Sequence, residues 1–102
     1  MATTEIFAAG GTDDTADWAV PGAPARANAT VYVQGAWFGA KVLVEAVVDT
    51  DQVFEYKHYG VRFGDEVIVD DVNICAEILR FTIKGGTANT ALQVIVSAPT
   101  VP

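Results

Sequence analysis

The sequence has few of the residues that enzymes and paired-thiol sites use. Among its 102 residues there is one cysteine, Cys75, and one histidine, His58. A single cysteine cannot form an internal disulfide or a two-thiol metal or redox motif. Any histidine-dependent catalytic arrangement would have to use His58, and its neighbours Lys57 and Tyr59 do not provide the orienting partner that a catalytic base needs. We therefore predict a non-enzymatic protein without a cofactor, with His58 in a surface loop and Cys75 inert in a strand.

Basic residues and long apolar runs are also scarce. Six Lys and Arg residues stand against thirteen Asp and Glu residues, so the formal net charge is -7. Because affinity for nucleic acid comes largely from Lys and Arg contacts to phosphates, we expect no nucleic-acid partner. Met1 is followed by Ala2-Thr3-Thr4-Glu5, with no basic segment before an apolar run. We expect no secretory signal, no transmembrane helix and no membrane partner, and synthesis in the cytoplasm.

Acidic residues occur in pairs at 13–14, 49–51 and 70–71. Their oxygens could bind calcium, but none of the pairs has the spacing of an EF-hand loop. Each pair coincides with a predicted turn, where Asp is favoured by hydrogen bonds to its own backbone. The sequence therefore predicts turns and no metal site, and a small enzyme or calcium-dependent module is the minor alternative.

What the sequence does contain is hydrophobic residues, which make up 51% of the chain against 19% charged residues. This composition excludes intrinsic disorder and, at this length, predicts one domain over residues 1–102. So few charges leave part of the surface apolar. We therefore expect some of that surface to meet another protein.

The apolar residues alternate with the period of two that marks a half-buried strand. In residues 29–34, Val31 and Val33 point one way and Tyr32 the other. The same alternation predicts three further buried sets: Val42, Val44, Ala46 and Val48; Leu79, Phe81 and Ile83; and Leu92, Val94 and Val96. Seven to nine such segments without an amphipathic helix predict an all-β fold, an antiparallel β-sandwich or jelly-roll-like barrel.

The connections carry further predictions. Residues 1–15 are expected to form an N-terminal arm or an edge strand, and residues 21–24 a proline-rich loop. Gly85-Gly86 between two alternating segments predicts a β-hairpin or a connection between adjacent strands.

Aromatic and apolar residues near turns and in the N-terminal segment are the candidate contact residues. In the segment Gly35-Ala36-Trp37-Phe38-Gly39, two adjacent aromatics cannot both face one core from an extended chain. Either one of them is exposed or both fold under the sandwich as a lid. The predicted interface set is Ile6, Phe7, Tyr32, Trp37, Phe38, Tyr56 and Tyr59.

Three parts of the chain together resemble small phage virion structural proteins: the Thr-rich N-terminal segment, "GAWFGAKVLVEAVVDTD" and "LRFTIKGGTANTALQVIV". The resemblance implies a structural protein present in many copies on the virion, without catalytic residues. It implies a capsid decoration or cement protein that forms a homo-oligomer, a trimer being favoured, and that binds the major capsid protein or another virion protein. The alternative is a tail, neck or fibre component, or a host-surface binding module of the virion.

Overall fold

The computed structural model describes residues 2–20, 26–49 and 52–98, and these ranges form eight strands and no helix. The strands are β1 (Ala2–Gly10), β2 (Thr15–Ala19), β3 (Arg26–Ala36), β4 (Ala40–Asp49), β5 (Gln52–Arg62), β6 (Ile68–Cys75), β7 (Ile78–Gly85) and β8 (Ala91–Ala98). The predicted all-β class is confirmed. Nothing in these ranges is a helix long and apolar enough to cross a membrane.

The strands form two antiparallel sheets of four. The first sheet has the order β1-β8-β3-β6 and the second has the order β2-β7-β4-β5. Among the described strands, β4 and β5 are the only consecutive pair in one sheet, and every other connection crosses to the opposite sheet. This alternation is the topology of an eight-stranded jelly roll.

The inward-facing residues of both sheets form one core. Val31, Val33, Leu79, Phe81, Ile83, Leu92, Val94 and Val96 are all buried, as their alternation predicts. The prediction is wrong for Val48, which is exposed, while Val47 is buried in its place. The ladder between β4 and β5 shifts register between Val47 and Asp49, which breaks the alternation at the end of β4.

The expected hairpin at Gly85-Gly86 is wrong, because β7 and β8 lie in opposite sheets. Both glycines have positive φ, 71° and 83°, which a tight turn requires. However, β7 already has β2 on one side and β4 on the other, so it has no free edge for β8. A second turn, closed by Thr90 N donating to Thr87 O at 3.1 Å, carries the chain across to the first sheet.

The N-terminal segment is the edge strand of the first sheet. β1 pairs along β8, in regular register from Ala2 opposite Ala98 to Glu5 opposite Ile95. The register then shifts between Glu5 and Phe7, and both Ile6 and Phe7 pack against the core. A bulge explains how two adjacent residues reach the same core.

Some predicted turns lie outside the described residues. These are the proline-rich loop at 21–24 and the turn at 50–51 between β4 and β5.

Candidate functional site

The outer face of the first sheet has an apolar centre. Strand pairing aligns Tyr32 of β3 with Ile95 of β8 on one side and Val69 of β6 on the other. Tyr32 is 40% exposed and Val69 is 61% exposed, while Ile95 is half-buried. Val67, just before β6, is 62% exposed and lines the same surface. We call these four residues and the polar residues around them the Tyr32 face.

The polar rim of the Tyr32 face consists of Thr3, Glu5, Thr30, Gln34, Asp71, Gln93 and Ser97. Its side chains bind one another. Gln34 Nε2 donates to Gln93 Oε1 at 2.7 Å, and Gln93 Nε2 donates to Glu5 Oε2 at 3.0 Å. Thr30 Oγ1 donates to Asp71 Oδ1 at 2.8 Å. Because these groups already bind one another, the rim is held in place. Its side chains would lose little further conformational freedom if another protein docked on this face.

The centre of the Tyr32 face is a shallow depression of about 380 Å³. It is lined by Thr3, Tyr32, Val33, Gln34, Val67, Ile95 and Ser97. The segments 3–5, 30–34, 67–71 and 93–97 contain no Lys or Arg. Of their three carboxylates, Glu5 and Asp71 lie at opposite edges of the sheet, and Asp70 binds Lys57 and Tyr59 of β5. A face of this kind can pack against an uncharged, partly apolar surface of another protein.

The outer face of the second sheet is charged. Its strand pairing aligns Asp17, Arg80, Glu45 and Glu55 in one row across the four strands. Arg80 binds Asp17 through two hydrogen bonds, at 2.8 and 3.2 Å. That carboxylate raises the pKa of the Arg80 guanidinium. We call this surface the charged face.

A polar clamp joins the two sheets along one side, where β5 and β6 are their edge strands. Lys57 Nζ contacts Asp70 Oδ2 at 2.8 Å, and the Tyr59 hydroxyl donates to the same oxygen at 2.9 Å. Nearby, Asn73 N donates to the Tyr56 hydroxyl at 3.1 Å. Lys57 Nζ also donates to Asp71 O at 2.8 Å, so four hydrogen bonds tie β5 to β6 and close this side of the sandwich.

The pKa values of the clamp residues reflect its contacts. Burial alone would raise the pKa of Asp70, but hydrogen bonds from Lys57 and Tyr59 outweigh it, and the pKa lies below its ordinary value. The hydrogen bond to Asp70 raises the pKa of Lys57. Burial, followed by the hydrogen bond to Asp70, raises the pKa of Tyr59 well above its ordinary value. The stable form of the clamp has ionised Asp70, ionised Lys57 and neutral Tyr59.

Two sequence expectations about the clamp region are wrong. Asp70 and Asp71 were expected to form a turn, but both lie within β6 and bind side chains of other strands. His58 was expected in a loop, but it lies within β5. It is exposed, and strand alternation directs it away from the clamp that its neighbours Lys57 and Tyr59 form.

The turn between β3 and β4, residues 37–39, directs its two aromatic side chains to different places. Trp37 is fully buried, and its Nε1 donates to Glu66 O at 2.7 Å. The Arg62 guanidinium lies 5.3 Å from the centre of its ring. Phe38 takes the left-handed φ of 47° and is 45% exposed. The expectation that one of the pair is exposed is confirmed, and the alternative of a two-residue lid is wrong.

The predicted interface residues therefore lie in different places. Tyr32 is at the centre of the Tyr32 face, and Phe38 is exposed at one end of the sandwich. Trp37 and Tyr59 are core residues in this chain, so the expectation that they offer surface to a partner is corrected. Ile6, Phe7 and Tyr56 are partly buried and pack against the core.

Val67, Val69 and Ile95 were not among the predicted interface residues. In the sequence they stand in runs of consecutive apolar residues, "VIV" at 67–69 and at 94–96, so that both sides of the strand are apolar. One phase fills the core, and the other must then be on the outer surface. Phe63, which is 75% exposed beside Gly39, lies in a connection and has no comparable signal.

No protein-family model matches the chain, and no curated protein matches its sequence. Within the described ranges there is no group of three or more His, Cys, Asp or Glu side chains placed to hold a metal ion. The two outer faces are the candidate functional surfaces of the described residues.

Proposed function

We propose that this chain is a non-enzymatic structural protein of a phage virion, a capsid cement protein that docks on the shell through the Tyr32 face. The observation that carries the proposal is the Tyr32 face itself, an apolar centre within a rim of mutually bonded polar groups. Docking such a surface buries apolar area at its centre, while the rim carboxylates Glu5 and Asp71 keep the hydrogen bonds they accept from Gln93 and Thr30. The jelly-roll fold, which recurs in viral capsid domains, agrees with this role.

The size of the Tyr32 face suggests how it would act. Four strands about 4.8 Å apart and about seven residues long give a flat area of about 450 Å². A stable protein interface usually buries about 800 Å² on each partner. One such contact is therefore weak. A cement protein gains its strength from many copies that bind the assembled shell and stabilise it by mass action.

Co-sedimentation with capsids tests the proposal. We expect the native protein to pellet with mature capsids of the phage that encodes it. Ile95→Asp puts a second carboxylate opposite Glu5 in the Tyr32 face and should weaken binding at least about 100-fold, because docking would bury a charge that has no cationic partner on this face.

The matched control is Leu43→Asp. Leu43 is likewise half-buried on the outer surface of a central strand, but it belongs to the second sheet, opposite Thr82 and His58. We expect this variant to bind within about twofold of the native protein, since surface substitutions away from an interface have small effects. Native protein that stays in the supernatant would refute the proposal, and equal losses in both variants would refute the choice of face.

The exposed aromatics Phe38 and Phe63 favour a second candidate, a tail, neck or fibre component or a host-surface binding module. Phe63 packs over Gly39, which follows Phe38 in the chain. The side chains of Phe38 and Phe63 therefore lie at the same end of the sandwich. Exposed aromatic rings are surfaces on which a receptor can stack. Binding of the isolated protein to host cells, without binding to capsids, would support this candidate over the cement role.

A further inference from the structure

The two lateral sides of the sandwich differ in how they are closed. On one side the polar clamp ties the edges of β5 and β6 together. On the other side the edge strands are β1 and β2. Among the described residues, the ladder and side-chain hydrogen bonds of β1 all go to β8. Alternate residues of such an edge strand direct their N–H and C=O groups away from the sheet.

The first half of β1 lacks the features that usually protect an edge. Residues 2–10 contain no Lys and no Pro, and their one charged residue is Glu5. The register is regular from Ala2 to Glu5, and the bulges begin only after Glu5. β2, by comparison, is only five residues long and carries the Asp17–Arg80 pair. The segment Ala2–Glu5 is therefore the edge best suited to accept another strand.

We infer that a second copy of this chain pairs with β1, antiparallel, with Thr4 opposite Thr4 of the second copy. A two-fold axis perpendicular to the sheet then places Thr3 opposite Glu5 of the second copy, so a hydroxyl meets a carboxylate. Centring the pair on Glu5 would instead place two like charges directly opposite each other, which is unfavourable. Gln93 holds the Glu5 carboxylate on its own chain at 3.0 Å, which keeps it away from the other Glu5.

The pairing also completes the docking surface. The axis leaves both Tyr32 faces on the same side of one eight-stranded sheet, so their combined flat area is about 900 Å². This reaches the size of a standard interface, which a single face does not. This area argument rests on the proposed function, whereas the argument from the β1 edge does not.

Light scattering tests the inference. We expect the native protein to have twice the 10.8 kDa mass of the chain at micromolar concentration. Thr4→Lys adds a charge to the exposed edge and should return the mass to that of one chain. Ala88→Lys adds the same charge in the exposed β7–β8 turn and should leave the dimer intact.

Hydrogen exchange gives a second readout that needs no variant. Exchange of the amides in residues 3–5 should slow as the protein concentration rises through the dimerisation range, while those of β5 should not change. A native monomer, a mass of three chains, or a dimer unaffected by Thr4→Lys would each overturn the inference. Failure of capsid binding with the dimer intact would reject the proposed function alone, and capsid binding by a native monomer would reject the pairing alone.

Discussion

The two outer faces of this sandwich have the same architecture, but each carries one row of residues across its four strands whose chemistry differs from that of the other. Each is formed by four antiparallel strands. One aligns Glu5, Ile95, Tyr32 and Val69 in a row, and the other aligns Asp17, Arg80, Glu45 and Glu55. Since the fold requires only the inward-facing residues to be apolar, the difference between the faces is not needed for folding. Under the proposed function, the Tyr32 face makes the contact and the charged face stays in water.

The net charge of -7 gives this difference physical weight. Copies of an acidic chain repel one another wherever their carboxylates approach. We therefore expect the Asp and Glu residues of the charged face to oppose close approach of a second copy. The Tyr32 face, with its carboxylates confined to the edges, is where close approach costs least.

The largest effect on stability should come from the clamp between the sheets, and not from the charged face. Asp70→Ala removes the carboxylate that Lys57 and the buried Tyr59 hydroxyl share, leaves Tyr59 without this acceptor and leaves Lys57 only its bond to Asp71 O, and we expect the free energy of unfolding to fall by about 2 kcal/mol. Asp17→Ala removes the surface partner of Arg80 and should lower the free energy of unfolding much less, because an exposed ion pair is screened by water. Urea denaturation measures both. Equal losses would show that the charged face stabilises the fold as much as the clamp does.

The clamp should make stability depend on pH. The pKa of Asp70 lies below its ordinary value of 3.8, so its contribution is present above that value and is lost as the pH falls through the lowered folded pKa. Lys57 and Tyr59 have raised pKa values, so their contributions are present below their ordinary values and are lost at higher pH.

We therefore expect the stability difference between the native protein and Asp70→Ala to be constant near neutral pH and to shrink in acid. Thermal melting from neutral pH to about pH 2 measures it, since the ordinary pKa of the group is about 4. The Asp17→Ala variant, melted over the same pH range, is the control for the loss of a surface carboxylate. A difference that does not shrink would mean that the Asp70 carboxylate does not hold the sheets together.

The smallest effect should be that of salt on docking. If the Tyr32 face is the contact surface, about 1 M NaCl should change capsid affinity by less than about threefold, because its centre has no charges to screen. Co-sedimentation at low and high salt measures this directly. A loss of tenfold or more would mean that the charged face makes the contact.

Much of the fold was predictable because the alternation in β3, β7 and β8 comes from local sequence. Strand pairing was not predictable in the same way, since β8 pairs with β1 and β3 and not with the strand that precedes it. Asp70-Asp71 misled the turn prediction because Asp also binds distant side chains within a sheet. Of the Tyr32 face, Tyr32 itself was predicted, because it lies on the polar side of its strand. Val67, Val69 and Ile95 needed knowledge of which strands are neighbours.

The order of the strands has a consequence for how the chain is made. β4 and β5 can pair as soon as both have left the ribosome, but β1 must wait for β8, the last of the eight described strands along the chain. During that interval the Ala2–Glu5 segment lacks its partner in the sheet. Non-local pairing of this kind folds slowly, and unpaired strand edges are prone to aggregate during folding. The same short segment is therefore the point at which newly made chains are most exposed to premature association.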